Sequence, residues 1–172
     1  MPGGPAAAGV HADATVLAAC LQGLDPAGQD PAGTVALVND WSILVFDAVQ
    51  AQGGEVAQFA GDSVLAVFAQ PAVARLAAQD LVQLLHQLAE QHQPAQPPGH
   101  FGWRTGIGLA RGPVLIGMAA AAGRSACACI GPAVTRAQAL AAACAQGNKG
   151  FLTDTAIDGG PLQDRQDGGR TD

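Results

Sequence analysis

Tyrosine is missing from this chain, and phenylalanine and tryptophan together make only 4% of its 172 residues. A core with so few rings has to be shallow and closely packed, filled largely from the alanine that dominates the 49% apolar content. Basic residues are also scarce: eight against fourteen acidic ones leave a net charge of −6. That balance argues against a nucleic-acid or anionic-membrane surface as the main role. No stretch approaches the roughly 18 unbroken apolar residues of a membrane span. The start Met1-Pro2-Gly3-Gly4-Pro5 lacks the basic opening and apolar run of a signal peptide. Four cysteines in an otherwise ordinary composition point to reduced thiols in a cytoplasm, not to a disulfide framework.

What is present is one domain's length of chain, long enough to bury a core. Its organising stretch is Gly53 to Phe68, where two short apolar runs flank Gly61-Asp62. Such runs around a tight Gly-Asp turn predict a β-hairpin with a carboxylate at its tip. Locally, Asp62 reads equally well as a turn closer or as a functional acid. Residues 1–12 are Gly/Pro/Ala-rich and are expected to be frayed, ahead of a domain spanning 13–154. Ala14 to Leu21 predicts the first buried strand, and Gln22 to Pro31 a loop. From Thr34, Val35, Val38, Trp41, Val45 and Val49 recur at helical spacing until Gly53-Gly54. Pro71 opens a second helix with its stripe on Val73, Leu76, Leu81, Leu84, Leu85 and Leu88.

Gln93 to Gly99 reads as a surface linker. Arg104 to Ala110 and Val114 to Met118 predict a second hairpin turning at Gly112-Pro113. Ala119 to Ser125 reads as flexible, Ala126 to Ile130 as a strand, Ala133 to Ala145 as a third helix and Phe151 to Thr153 as a last strand. Residues 155–172 are expected to be a disordered tail. The interleaving predicts an α+β domain of the ferredoxin-like kind, a mixed or antiparallel sheet with helices packed on one face.

Isolated site motifs are weak. The glycines at 106, 108 and 112 lack dinucleotide-fingerprint spacing, so strand and turn roles are favoured. Cys127 and Cys129 share one strand face, and His11, His86, His92 and His100 are scattered without zinc spacing. His86 and His92 fall on or near the solvated side of the second helix. Trp41 and Trp103 are expected in the core or at a dimer interface.

The order of elements, together with Gly53 to Phe68, Gly106-Ile107-Gly108, Gly112-Pro113-Val114, Gly117 and Ile130 to Val134, resembles the class III nucleotidyl (adenylate/guanylate) cyclase domain. Leu37 to Trp41 resembles that family's first helix, and the resemblance runs from about Ala14 to Asp154. It implies a head-to-tail dimer with shared active sites. One subunit's two aspartates hold two Mg²⁺ or Mn²⁺ ions over ATP or GTP. The other reads the purine with a lysine and an Asp or Thr, and serves the transition state with an asparagine and an arginine. Hard divalent ions need carboxylate oxygens, and charge on the phosphoryl group needs preorganised cations.

Carried onto this chain, the first metal aspartate falls at Cys20 and the second at Asp62. The purine-reading lysine falls at Gln58 and its companion at Ala128; the transition-state asparagine falls at Thr135 and the arginine at Ala139. Gly23 and Gly61 are retained in the loops that would face nucleotide. No match to the family's C-terminal strands or its basic phosphate contact precedes the chain's end. The resemblance therefore implies a degenerate domain that acts as a homodimeric or heterodimeric regulatory module. The alternative is an active cyclase that converts ATP or GTP to the cyclic nucleotide with substitute residues.

Overall fold

The computed structural model describes residues 9–24, 30–92, 102–147 and 150–158. Chain order is β1 (Gly9–Gln22), α1 (Pro31–Ala51), β2 (Glu55–Phe59), β3 (Ser63–Phe68), α2 (Pro71–His92), β4 (Arg104–Ala121), β5 (Arg124–Ile130), α3 (Pro132–Gly147), β6 (Leu152–Thr153) and α4 (Thr155–Asp158). The sheet runs β2-β3-β1-β4-β5 with antiparallel neighbours, and β6 adds to β4 in parallel. The expected α+β class with a mixed sheet is what forms.

β1 is central, and its alternation divides the interior in two. Leu17, Ala19 and Leu21, with Ile107 and Leu109 of β4, face α1 and α2, where Trp41, Val45, Leu81 and Leu85 are buried. Val16 and Ala18, with Ala110, Val114 and Ile116, instead meet Ala133, Ala137 and Ala141 of α3. So α1 and α2 pack as a pair on one face, and α3 lies against the other, inside the curl of the sheet. That curl brings the outer strands β2 and β5 toward each other.

Alanine and glycine set how close these layers come. A Cβ on Gly106 or Gly108 would run into the α3 backbone at Ala141 and Ala137. In α2, Ala74, Ala77, Ala78 and Ala89 are buried while Leu76 is 48% exposed. In α1, Leu37 and Ala48 are buried and Val35 is 60% exposed. Large residues alone do not define either buried stripe; small ones carry part of the packing.

Several predicted boundaries change. α1 starts at Pro31, not Thr34, because the Asp30 side chain accepts from Gly33 N at 2.9 Å and Pro31 suits the first helical position. β1 begins at Gly9, inside the stretch expected to be frayed, and pairs with Val114 to Ile116. The predicted turn at Gly112-Pro113 does not exist; β4 runs through it. Opposite Pro113 the register of β1 shifts between His11 and Ala14, a bulge that accommodates a residue without an N–H. The turn lies at Ala122-Gly123, with φ of 50° and 76°, so the segment expected to be flexible is the tip of a β4–β5 hairpin. Thr155–Asp158 is helical and buries Ile157, which overturns the disordered assignment there. The predicted linker at 93–99 and the tail from 159 onward lie outside the described residues.

Candidate functional site

Cys20 and Asp62 are brought together. Cys20 sits in β1 directly opposite Ser63 of β3 and Gly106 of β4. The β2–β3 turn is tied to β1 by Leu21 N donating to the Asp62 carbonyl at 2.8 Å. Gly61 takes φ of 68° to make that turn, and the Asp62 side chain is exposed, with no partner among the described residues. Behind the pair, the Trp41 indole donates to Thr105 Oγ1 at 3.1 Å, and Thr105 donates to the Cys20 carbonyl at 3.2 Å. α1, β4 and β1 are thereby locked at the site.

The Cys20 thiol is half-buried and faces α3. Burial pushes its pKa above the ordinary value, a backbone hydrogen bond at Gly106 opposes this, and Cys144 and the Asp62 carboxylate add to the rise. At neutral pH this position therefore presents S–H, a soft and neutral group. Cys20, Gln22, Ser63, Gln138, Ala141 and Ala142 line a cavity of about 200 Å³ with neutral walls. Among the described residues, no three His, Cys, Asp or Glu side chains group to hold a metal. One carboxylate and a protonated thiol do not fit a pair of hard divalent ions.

Gly23 has φ of 77°, and a Cβ there would meet the Gly102 carbonyl, so its retention has a packing explanation. Gln58 is exposed on β2 beside a bulge, and Ala128 is half-buried on β5 opposite Gly117. Their strands approach across the curl. Thr135 and Ala139 lie four residues apart on the exposed face of α3. Thr135 Oγ1 donates back to Gly131 O at 3.5 Å, which leaves it a local role at the helix start.

Two ion-pair systems escaped the sequence reading. The Arg111 guanidinium grips both oxygens of Asp13, at 2.7 and 2.6 Å, and holds the Asp13 carboxyl below the usual carboxylate range. Asp154 accepts from Arg136 Nε at 3.1 Å and from Arg111 N at 3.3 Å, and Arg136 also donates to Arg111 O at 2.8 Å. His92, expected to be solvated, instead meets Asp40 of α1 at 3.0 Å and is 24% exposed. These partners lie between 18 and 98 residues apart, beyond any local pattern.

No protein-family model matches this sequence, and no curated protein sequence does. Solved structures do match its fold. The guanylyl cyclase Cya2 superposes with a TM-score of 0.63 at 22% identity, over 79% of this chain and 72% of that one. A bacterial light-regulated adenylyl cyclase gives 0.73 at 23% identity, over 89% of this chain and 46% of that one. The adenylyl cyclase CyaB from P. aeruginosa gives 0.61 at 18%, over 87% and 80%. The chain thus spans less than half of the light-regulated enzyme. At these identities the likeness establishes the fold: that of nucleotidyl cyclase catalytic domains.

Proposed function

We propose that this chain is a catalytically silent cyclase-type domain that works by pairing, with a second copy or with a competent domain of the same fold, and so modulates cyclic-nucleotide signalling. The observation that carries this reading is the Cys20–Asp62 pair, where burial holds a thiol protonated at the position for which the resemblance calls for a second carboxylate. The neutral Gln58, Ala128, Thr135 and Ala139 support it, because each stands where the resemblance calls for a recognition or transition-state group. Losing one preorganised donor typically costs about 10²–10³ in rate, and here two are replaced along with a metal ligand. In a mixed pair, such a chain would hand its partner an incomplete half of each shared site, which makes it a negative regulator. Its four free thiols fit a reducing cytoplasm.

The test is direct. With Mg²⁺ or Mn²⁺ and ATP or GTP, the purified chain should form no cyclic nucleotide above a blank. Product that disappears in Asp62→Ala would overturn the reading. The exposed Asp62 carboxylate, unpartnered among the described residues, favours one alternative, a cyclase running on a single acidic ligand; binding of Mg-nucleotide at Asp62, followed by turnover, is what that alternative requires.

A further inference from the structure

Three sulfurs share one face of the β4–β5 hairpin. Cys127 and Cys129 are two residues apart on β5, so their side chains leave the strand on the same side. That side is the inside of the curl: Cys129 is buried in the cluster that holds Val114 and Ile116, and Cys127 is half-buried against it. Met118 of β4 is the direct cross-strand partner of Cys127 and so lies on its face. Paired side chains of this kind start about 4.5–5.5 Å apart at Cβ. Met118 is 62% exposed, while Ile116, opposite Cys129, is buried. The sulfurs therefore descend from the rim of the sheet inward, open at Met118 and closed at Cys129.

Geometry and charge decide what the sulfurs can hold. Residues two apart on an extended strand have Cα atoms about 6.4–6.8 Å apart with nearly parallel Cβ bonds, whereas a disulfide needs Cβ atoms about 3.5–4.5 Å apart. The two thiols cannot close on each other without bending β5. Structural zinc wants four donors, and among the described residues no three His, Cys, Asp or Glu side chains group. Within 115–121 and 124–130 the one charged residue is Arg124, which alternation puts on the other face from Cys127 and Cys129. A hard cation, which needs carboxylate oxygens, has no ligand here. We infer that Cys127, Cys129 and Met118 form a three-sulfur site for a soft monovalent metal ion, copper(I), at the edge of the sheet. Thiolate and thioether are the ligands that select this ion. Binding breaks two S–H bonds and forms two copper–thiolate bonds; both protons pass to solvent, and copper stays at +1. The Met118 thioether adds a third, neutral donor, and its exposure gives the ion a way in. All three donors belong to one chain, so the site stands apart from the pairing proposed above.

The test is an anaerobic titration of the full chain with copper(I), supplied as its acetonitrile complex, in competition with a chromophoric copper(I) chelator. The expected result is one ion per chain, an ultraviolet thiolate-to-copper charge-transfer band, and X-ray absorption showing sulfur neighbours alone. Cys127→Ser and Cys129→Ser should each lower the affinity at least about 100-fold, and Met118→Leu about 10-fold. Cys20→Ser should leave it unchanged. Added copper(I) should raise the thermal midpoint of the wild type and not that of Cys127→Ser. Cys127 and Met118 are both open to solvent in part, so their variants keep the fold even where a hydroxyl in the buried place of Cys129 does not. Copper held as tightly by Cys127→Ser as by the wild type, or lost in Cys20→Ser instead, overturns the site. An affinity unmoved in Met118→Leu overturns the three-sulfur set. A wild type that cannot take copper from the chelator, or that binds zinc(II) as tightly as copper(I), overturns the inference altogether.

Discussion

Burial favours the neutral form of the Cys20 thiol. Cys129 and Cys144 are in the same situation, and desolvation raises all three thiols above 9.0. The linkage has a definite sign. A group whose pKa is higher in the folded state contributes stability that is intact below its unfolded value and disappears as pH climbs through the folded one. Urea midpoints should therefore be unaffected by these thiols at neutral pH and fall above pH 9.0. Cys20→Ala should show a shallower fall, and a midpoint that rises with alkaline pH would contradict the assignment. The thiol and the Asp62 carboxylate were both legible in the sequence as positions. Their protonation was not, because it depends on α3 closing over β1 from more than a hundred residues away.

At the scale of elements, backbone-to-backbone packing matters more than hydrophobic bulk. Gly106 and Gly108 let α3 rest on β4 with no side chain between, so Gly108→Ala forces the helix off the sheet. The expected loss is about 3 kcal/mol in chemical denaturation, with the melting of α3 followed by far-UV circular dichroism. A similar substitution at Gly117, where no atom lies within 4 Å, should cost far less. Sequence periodicity found α1, α2 and α3 and the β2–β3 hairpin because each is a local pattern. It placed the second turn wrongly, because Gly-Pro is a turn signal in isolation. Only the β1 bulge, on a strand a hundred residues earlier, shows why the chain continues straight through. The turn at Ala122-Gly123 carried a weaker signal, since an alanine, which the structure puts at positive φ, is no turn former in sequence.

Across the whole molecule, Asp154 joins parts that sequence distance separates. Its carboxylate accepts from Arg136 of α3, from the Arg111 backbone of β4 and from Ile157 N of α4, and its own N–H donates to Leu109 O. The side chain is 11% exposed. Removing it strands two arginine contacts and a helix cap together, so Asp154→Ala should cost about 2–4 kcal/mol in thermal or urea unfolding, with Asp154→Asn recovering part. From the sequence this residue marked only the end of the domain. The overall architecture was legible because strand and helix signals interleave in one order. The polar ties were not, since nothing local announces which Arg will meet which Asp. The glycine seam under α3 sets a last consequence. Where two main chains touch directly, a mutation can add atoms but has none to remove, so every substitution there has to move a backbone. The mouth of the cleft, lined by side chains facing water, is open to exchange one residue at a time.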